Sequence, residues 1–394
     1  MSIFANHLLS YSPVVNSKKL TTATRLSVLR IDNQPCNVST VYQEIATACV
    51  DCPDTILLSI DYNEPSDVLW ALGSSERLWL EVPGSILESA DGREWVNGLA
   101  RHGFKLVLRN YPGQPASPDV LSHFQFAIVD TTQDRRNEAG EASPEQRQIS
   151  TAISGITTIA DMERAFTSGA TSIIGWPLDD ALDRGKPPGS ASSFTAVSRL
   201  LSLINSGGSA DDMENVLATD PTLAFRLFRY LNSPAFGLTV EIRSFEHAMM
   251  MLGQKRMKKW LSLLLATASP DPNLNTLMFA SVRRGFLMEK LVSEFHEKQV
   301  QDEAFIIGVF SMLDKLFCEP FEKLFERLQI SDSVYEALVS GTGPSMPYLN
   351  LATALEHSPD QISEAQDNAF ITPSSCNTML LSTLTEAAQA QQAT

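Results

Sequence analysis

The chain has 394 residues, 43% of them apolar, which allows two or three domains with a core in each. Its net charge of −16 excludes a general attraction to nucleic acid or to an anionic membrane surface. No apolar run reaches the roughly 18 residues of a membrane span, no secretory leader is evident at the N-terminus, and five scattered cysteines do not make a disulfide framework. The expectation is a soluble, cytoplasmic protein without membrane insertion.

Along the first half, short β-branched or apolar runs recur at Leu26–Ile31, Thr55–Ile60, Leu78–Val82, Lys105–Leu108, Phe126–Val129 and Ser172–Gly175. Helix-length segments such as Val41–Cys49, Gly84–His102 and Ile159–Ser168 separate most of them. Strands alternating with helices predict a parallel α/β sheet, either a closed β/α barrel or a doubly wound sheet. Six strands are legible, two short of a complete barrel. Cys49-Val-Asp-Cys52 has redox or half-zinc spacing, but without a second ligand pair it reads as two partly buried thiols at a helix end.

The pattern changes at Gly185-Lys-Pro-Pro-Gly-Ser-Ala-Ser-Ser193, after which helical periodicity runs to about Glu356. Ser209 and Asp212 are spaced as a capping box. Asp220-Pro221 suits a helix start, Leu223, Leu227, Phe228 and Leu231 share one helical face, and Asn232-Ser233-Pro234 ends that helix. Ser244 is placed to cap the next helix and Gly253 to close it. Met249–Met251 reads as core more readily than as a partner surface. Lys255-Arg-Met-Lys-Lys259 with Arg283-Arg284 is the one basic concentration, and reads first as an ordinary solvated helix face. From Ser358 onward Ser, Pro, Gln, Asp and Ala dominate, which predicts a mobile tail.

The run Asp220, Pro221, Leu223, Asn232, Ser233, Ile242, Ala248, Leu252 and Gly253 resembles the signature of HDOD domains, all-helical modules distantly akin to metal-dependent HD hydrolases. The order of strands before it resembles proteins that fuse an EAL-type β/α barrel to HDOD, and active EAL domains hydrolyse cyclic di-GMP. The resemblance implies a degenerate EAL-like barrel over 1–187, an HDOD domain with its C-terminal extension over 194–357, and a tail over 358–394. Within the barrel, Gly175-Trp176 with Gly185-Lys186-Pro187 matches the family's barrel end, and Leu80-Glu81-Val82-Pro83 its glutamate-bearing strand.

The same comparison argues against chemistry. Metal-assisted phosphodiester hydrolysis needs carboxylates to hold divalent cations. Leu26 falls where the family has its first glutamate, Arg109-Asn110 where it has paired aspartates, Ile128 where it has a lysine, and Ile156 near a further glutamate. Glu81 and Asp130 look retained, and Asp61 and Glu64 lie near a strand end without marks of ligands. No His-Asp dipeptide occurs among the six dispersed histidines, so an HD-type metal site is missing as well. These readings imply no catalytic residue, no metal and no cofactor. The expectation is a non-enzymatic bacterial signalling adaptor that acts through protein partners of its HDOD domain. The alternative is a cyclic di-GMP receptor that binds without cutting, through Glu81, Arg109 and Asp130, since a guanidinium can hold phosphate in place of a metal; a residual cyclic di-GMP phosphodiesterase with displaced ligands ranks last of the three.

Overall fold

The computed structural model describes residues 6–31, 37–62, 65, 67–110, 118–133, 149–184, 190–218, 225, 232, 242, 244–267, 269, 271–328, 330–357 and 359–393. Asp220, Pro221, Leu223 and Ser233 of the helical signature, Glu64, and Gly185-Lys186-Pro187 lie outside these residues. The chain divides into two compact units, Met1–Asp180 with Ala354–Leu381, and Ala181–Thr353 with Ser382–Thr394.

In the first unit, β1 (His7–Asn16), β2 (Thr21–Arg30), β3 (Thr55–Ser59), β4 (Leu78–Pro83), β5 (Lys105–Arg109), β6 (Phe124–Asp130), β7 (Thr151–Ile156) and β8 (Ser172–Gly175) close into a barrel. Of the two sheet types the sequence allowed, the closed one forms. The two strands absent from the sequence reading are β1 and β7. Strand β1 runs antiparallel to both β2 and β8, whereas β2 to β8 pair in parallel, each with the next. A tight turn replaces the helix between β1 and β2: Lys19 N–H donates to Asn16 O, and the Asn16 side chain accepts from Lys18 and Leu20 N–H. Around the barrel lie α1 (Val38–Ala48), α2 (Ala90–Arg101), α3 (Pro118–Leu121) and α4 (Ile159–Thr167). Asn37, Ser89 and Thr158 cap α1, α2 and α4 through side-chain oxygens that accept first-turn N–H groups. At the end of α1, Cys49 follows the last turn and Cys52 is buried. Burial first, then the neighbouring Cys52, pushes the Cys49 thiol up to about 12, so neither chemistry suggested by the Cys-x-x-Cys spacing is favoured.

The second unit is helical. It holds α5 (Ser190–Ser206), α6 (Ala210–Ala218), α7 (Phe245–Ala266), α8 (Asn275–Ser293), α9 (Lys298–Phe310), α10 (Leu313–Phe317), α11 (Phe321–Phe325) and α12 (Asp332–Tyr335). Ser209 and Asp212 cap α6 reciprocally, as their spacing predicts. Helices α8 and α9 pack at close range because Gly308 lacks a side chain: a Cβ there would lie 2.5 Å from the Arg284 carbonyl oxygen. Arg283 and Arg284 are buried in this packing, the first over the Phe279 ring and the second donating to Ser311 Oγ. They therefore do not belong to the exposed basic face of α7.

The segment expected to be a mobile tail is ordered as α14 (Ile362–Asn368) and α15 (Pro373–Ala393), after α13 (Met346–His357). Its Asn377 is fully buried, accepts from Leu9 N–H at 2.9 Å and donates to His7 O at 2.7 Å. Those groups belong to the part of β1 that β8, paired only at Val14–Asn16, leaves uncovered. The side-chain amide thus stands in for a strand neighbour.

Candidate functional site

Successive residues of a strand point to opposite faces, so the barrel interior can be read by twos. Ala23, Leu57, Val107, Ile128, Ala152 and Ile174 form one apolar layer, with Trp79 packed against it. Two residues further along their strands stand Arg25, Ser59, Glu81, Arg109, Asp130 and Ser154. These side chains make a polar layer toward the C-terminal ends of the parallel strands, the end where barrels of this type carry their sites.

Arg25 dominates the layer. Its Nε donates to Glu81 Oε1 at 2.6 Å and its Nη2 to Glu81 Oε2 at 2.8 Å, a bidentate pair. Nη2 also reaches Ser59 Oγ at 3.1 Å. Glu81 is 0% exposed, and Tyr62 Oη donates to its main-chain carbonyl at 2.8 Å. Burial opposes the Arg25 charge, but Glu81 and then Asp130 outweigh it and hold the guanidinium pKa above its ordinary value. Arg109 completes the group. Its Nη1 donates to Ser59 Oγ at 3.2 Å and its Nη2 to Ile60 O at 3.3 Å, and Nη2 lies 3.6 Å from Asp61 Oδ1. Arg109 Nε is buried without a hydrogen-bond acceptor, and sits 4.0 Å from Glu81 Oε2.

Asp130 faces the same interior but has local partners: its Oδ1 accepts from both Thr132 N–H and Thr132 Oγ1, and Ser154 Oγ lies 3.5 Å from its Oδ2. Asp61 pairs with Arg30 and Arg109 at the rim. Glu81, Arg109 and Asp130 are therefore brought to one layer. The sequence reading missed Arg25 and named its neighbour Leu26, which lies on the alternate face of β2. The period-two alternation Ala23, Arg25, Ser27 was the available signal. Among the described residues, no group of three or more His, Cys, Asp or Glu side chains could hold a metal ion.

The described part of the helical signature is a packing device. Asn232 Nδ2 donates to Ile242 O at 2.9 Å and its Oδ1 accepts from Ile242 N–H at 2.6 Å, so its side chain clamps backbone ten residues away. This goes beyond the helix ending expected of it. Ile242, Ala248 and Leu252 are buried in the core, and Ser244 Oγ accepts from His247 N–H as the N-cap of α7. Gly253, with φ +72° and ψ 169°, interrupts α7 and kinks it. Residues 192–330 match the HDOD domain family. This part of the chain is an HDOD domain.

Relatives of the chain include the cyclic di-GMP phosphodiesterase CdgJ of Vibrio cholerae, 31% identical over 144 residues, which are 36% of this chain and 33% of CdgJ. YuxH of Bacillus subtilis is 26% identical over 140 residues, 35% of this chain and 34% of YuxH. The match thus spans about a third of the length of these curated relatives. Among solved structures, the chain is similar to the FimX EAL domain of Pseudomonas aeruginosa bound to c-di-GMP, at 11% identity and a TM-score of 0.33, covering 44% of this chain and 90% of that one. The chain is a barrel joined to an HDOD domain. On the HDOD side, Met250 and Met251 of α7 are 72% and 45% exposed, so the core reading of this methionine run is corrected for these two residues. No helix among the described residues is long and apolar enough to cross a membrane.

Proposed function

We propose that the chain is a non-catalytic signalling adaptor, whose HDOD domain binds other proteins and whose barrel no longer performs hydrolysis. The observation that carries this reading is the bidentate contact of Arg25 with Glu81. A divalent cation needs carboxylate oxygens free to coordinate it, and a fixed guanidinium holds both oxygens of Glu81. The other inward groups are a second guanidinium, two hydroxyls and Asp130, whose Oδ1 is taken up by Thr132. This donor set does not fit a pair of metal ions.

For the binding role, the support is the exposed Met250–Met251 pair on α7. Methionine is flexible and polarizable, and suits surfaces that receive partners. Two assays test the reading. Incubation of the chain with cyclic di-GMP and magnesium or manganese should release no linear dinucleotide above background; turnover that disappears in Glu81→Gln would overturn it. Replacing Met250 and Met251 together by aspartate should remove partner capture from a lysate of the native host while leaving the fold intact.

One observation favours a second reading, the non-hydrolysing cyclic di-GMP receptor. The buried Nε of Arg109 has no acceptor, and a phosphate oxygen would supply one. Calorimetric titration with cyclic di-GMP separates the two: saturable heat that is lost in Arg109→Ala supports the receptor, and silence supports the adaptor.

A further inference from the structure

The HDOD domain contains a cavity of about 340 Å³ lined by α5, α7, α9 and the segment leading into α12. Its apolar lining includes Leu201, Ile306, Phe310, Leu328 and Val334. Helix α7 adds three ammonium groups, Lys255, Lys258 and Lys259, and α9 adds the carboxylates of Asp302 and Glu303. These charges are not equally engaged. Lys259 pairs with Glu289 and lies 4.4 Å from the centre of the Phe305 ring. Asp302 lies 3.7 Å from Lys298, and Glu303 accepts from Ser333 Oγ at 2.6 Å. The ammonium groups of Lys255 and Lys258 have no ion pair or hydrogen bond among the described residues.

Cations three and four residues apart share one helix face and repel one another, which disfavours the helix unless an anion covers them. The cavity therefore offers one end to an anion, an apolar wall to a flat body, and carboxylates that still have lone pairs for N–H donors. We propose that it binds a mononucleotide: the phosphate at Lys255 and Lys258, the ring against Ile306 and Phe310, and the N–H groups of the base at Asp302 or Glu303. Its volume lies at the low end of the roughly 300–1,000 Å³ typical of small-molecule sites, room for one nucleotide and not two. The inference is independent of the barrel and of the adaptor role.

The test is calorimetric titration of the full chain with GMP and with AMP, beside guanosine, adenosine and inorganic phosphate as probes. At least one mononucleotide should bind saturably with Kd of about 0.1 mM or tighter, and its nucleoside should bind at least about tenfold more weakly. Lys255→Ala combined with Lys258→Ala should weaken the nucleotide at least about tenfold. Lys255 is exposed and Lys258 half-buried on α7, and an unchanged circular dichroism melt verifies the fold of that variant. Glu303→Gln should change the ratio of GMP to AMP affinity while leaving inorganic phosphate unaffected. Absence of saturable heat with either nucleotide overturns the proposal. So does a nucleoside that binds as tightly as its nucleotide, or an affinity that survives loss of both lysines.

Discussion

Arg25 grips both carboxylate oxygens of Glu81 across the barrel interior, at 2.6 and 2.8 Å, from two strands that are not neighbours in the sheet. A buried ion pair owes its value to both members being present. Replacing Arg25 by Ala leaves a fully buried carboxylate with Arg109 at 4.0 Å as its nearest cation. The expected cost is about 3–5 kcal/mol. Changing Arg25 to Met and Glu81 to Leu together should cost distinctly less than Arg25→Ala alone. Urea denaturation of the two variants beside the wild type measures both effects, and equal losses would show that the pair is not coupled.

Asn232 supplies one acceptor and one donor to Ile242, so Asn232→Ala breaks two hydrogen bonds at once. A loss of about 1–2 kcal/mol is expected. Asn232→Asp keeps the acceptor for Ile242 N–H and loses the donor to Ile242 O. Its urea midpoint should fall between those of the wild type and Asn232→Ala.

Gly253 occupies a region of backbone space open almost only to glycine. A Cβ there would meet no atom within 4 Å, so crowding is not the obstacle. Gly253→Ala should still cost about 1–3 kcal/mol in backbone strain. A thermal melt unchanged from wild type would mean that α7 simply straightens.

Glu289 gives a pH signature. Burial alone would raise its carboxyl; the ammonium groups of Lys259 and Lys298 outweigh burial and hold it below the ordinary value. A carboxyl with a depressed folded pKa adds stability above its unfolded pKa of about 4.3, and loses it as pH falls through the folded value. Lys259 is itself held below the ordinary lysine range, chiefly by burial, and that shift acts only in alkaline solution. The stability gap between wild type and Glu289→Gln should therefore be full at neutral pH and shrink below about pH 4. Denaturant midpoints across that range measure it, and a gap independent of pH would assign the contact to packing alone.

Much of the barrel was legible because its central strands are buried apolar runs such as Thr55–Ser59 and Lys105–Arg109, with helices between them. Strand β1 was not, because Ser10, Ser12 and Pro13 interrupt its pattern and no helix separates it from β2. Strand β7 was hidden for another reason: in Thr151–Ile156 two isoleucines are separated by Ser154 and Gly155, and Gly155 takes a positive φ where the pairing with β8 shifts register. Glu81, Arg109 and Asp130 could be named because the resemblance to EAL-type signature strands points to those positions, the last two of which end their strands. Their principal partner, Arg25, could not, since neighbouring residues of one strand face opposite ways and a match displaced by one residue lands on Leu26. The last helices failed on composition: the polar stretch after Ser358 lacks a continuous apolar face, yet Leu380, Leu381 and Leu384 are buried.

The amide of Asn377 gives the C-terminal segment a protective duty. Without it, His7 O and Leu9 N–H of β1 would stand bare on the edge of an extended strand, the kind of rim onto which another chain can add itself. A chain cut after His357 should therefore self-associate as it folds, and light scattering during refolding would register that before any assay of ligand or partner. A segment with the composition of a dispensable appendage would then be what keeps other chains off this edge of the barrel.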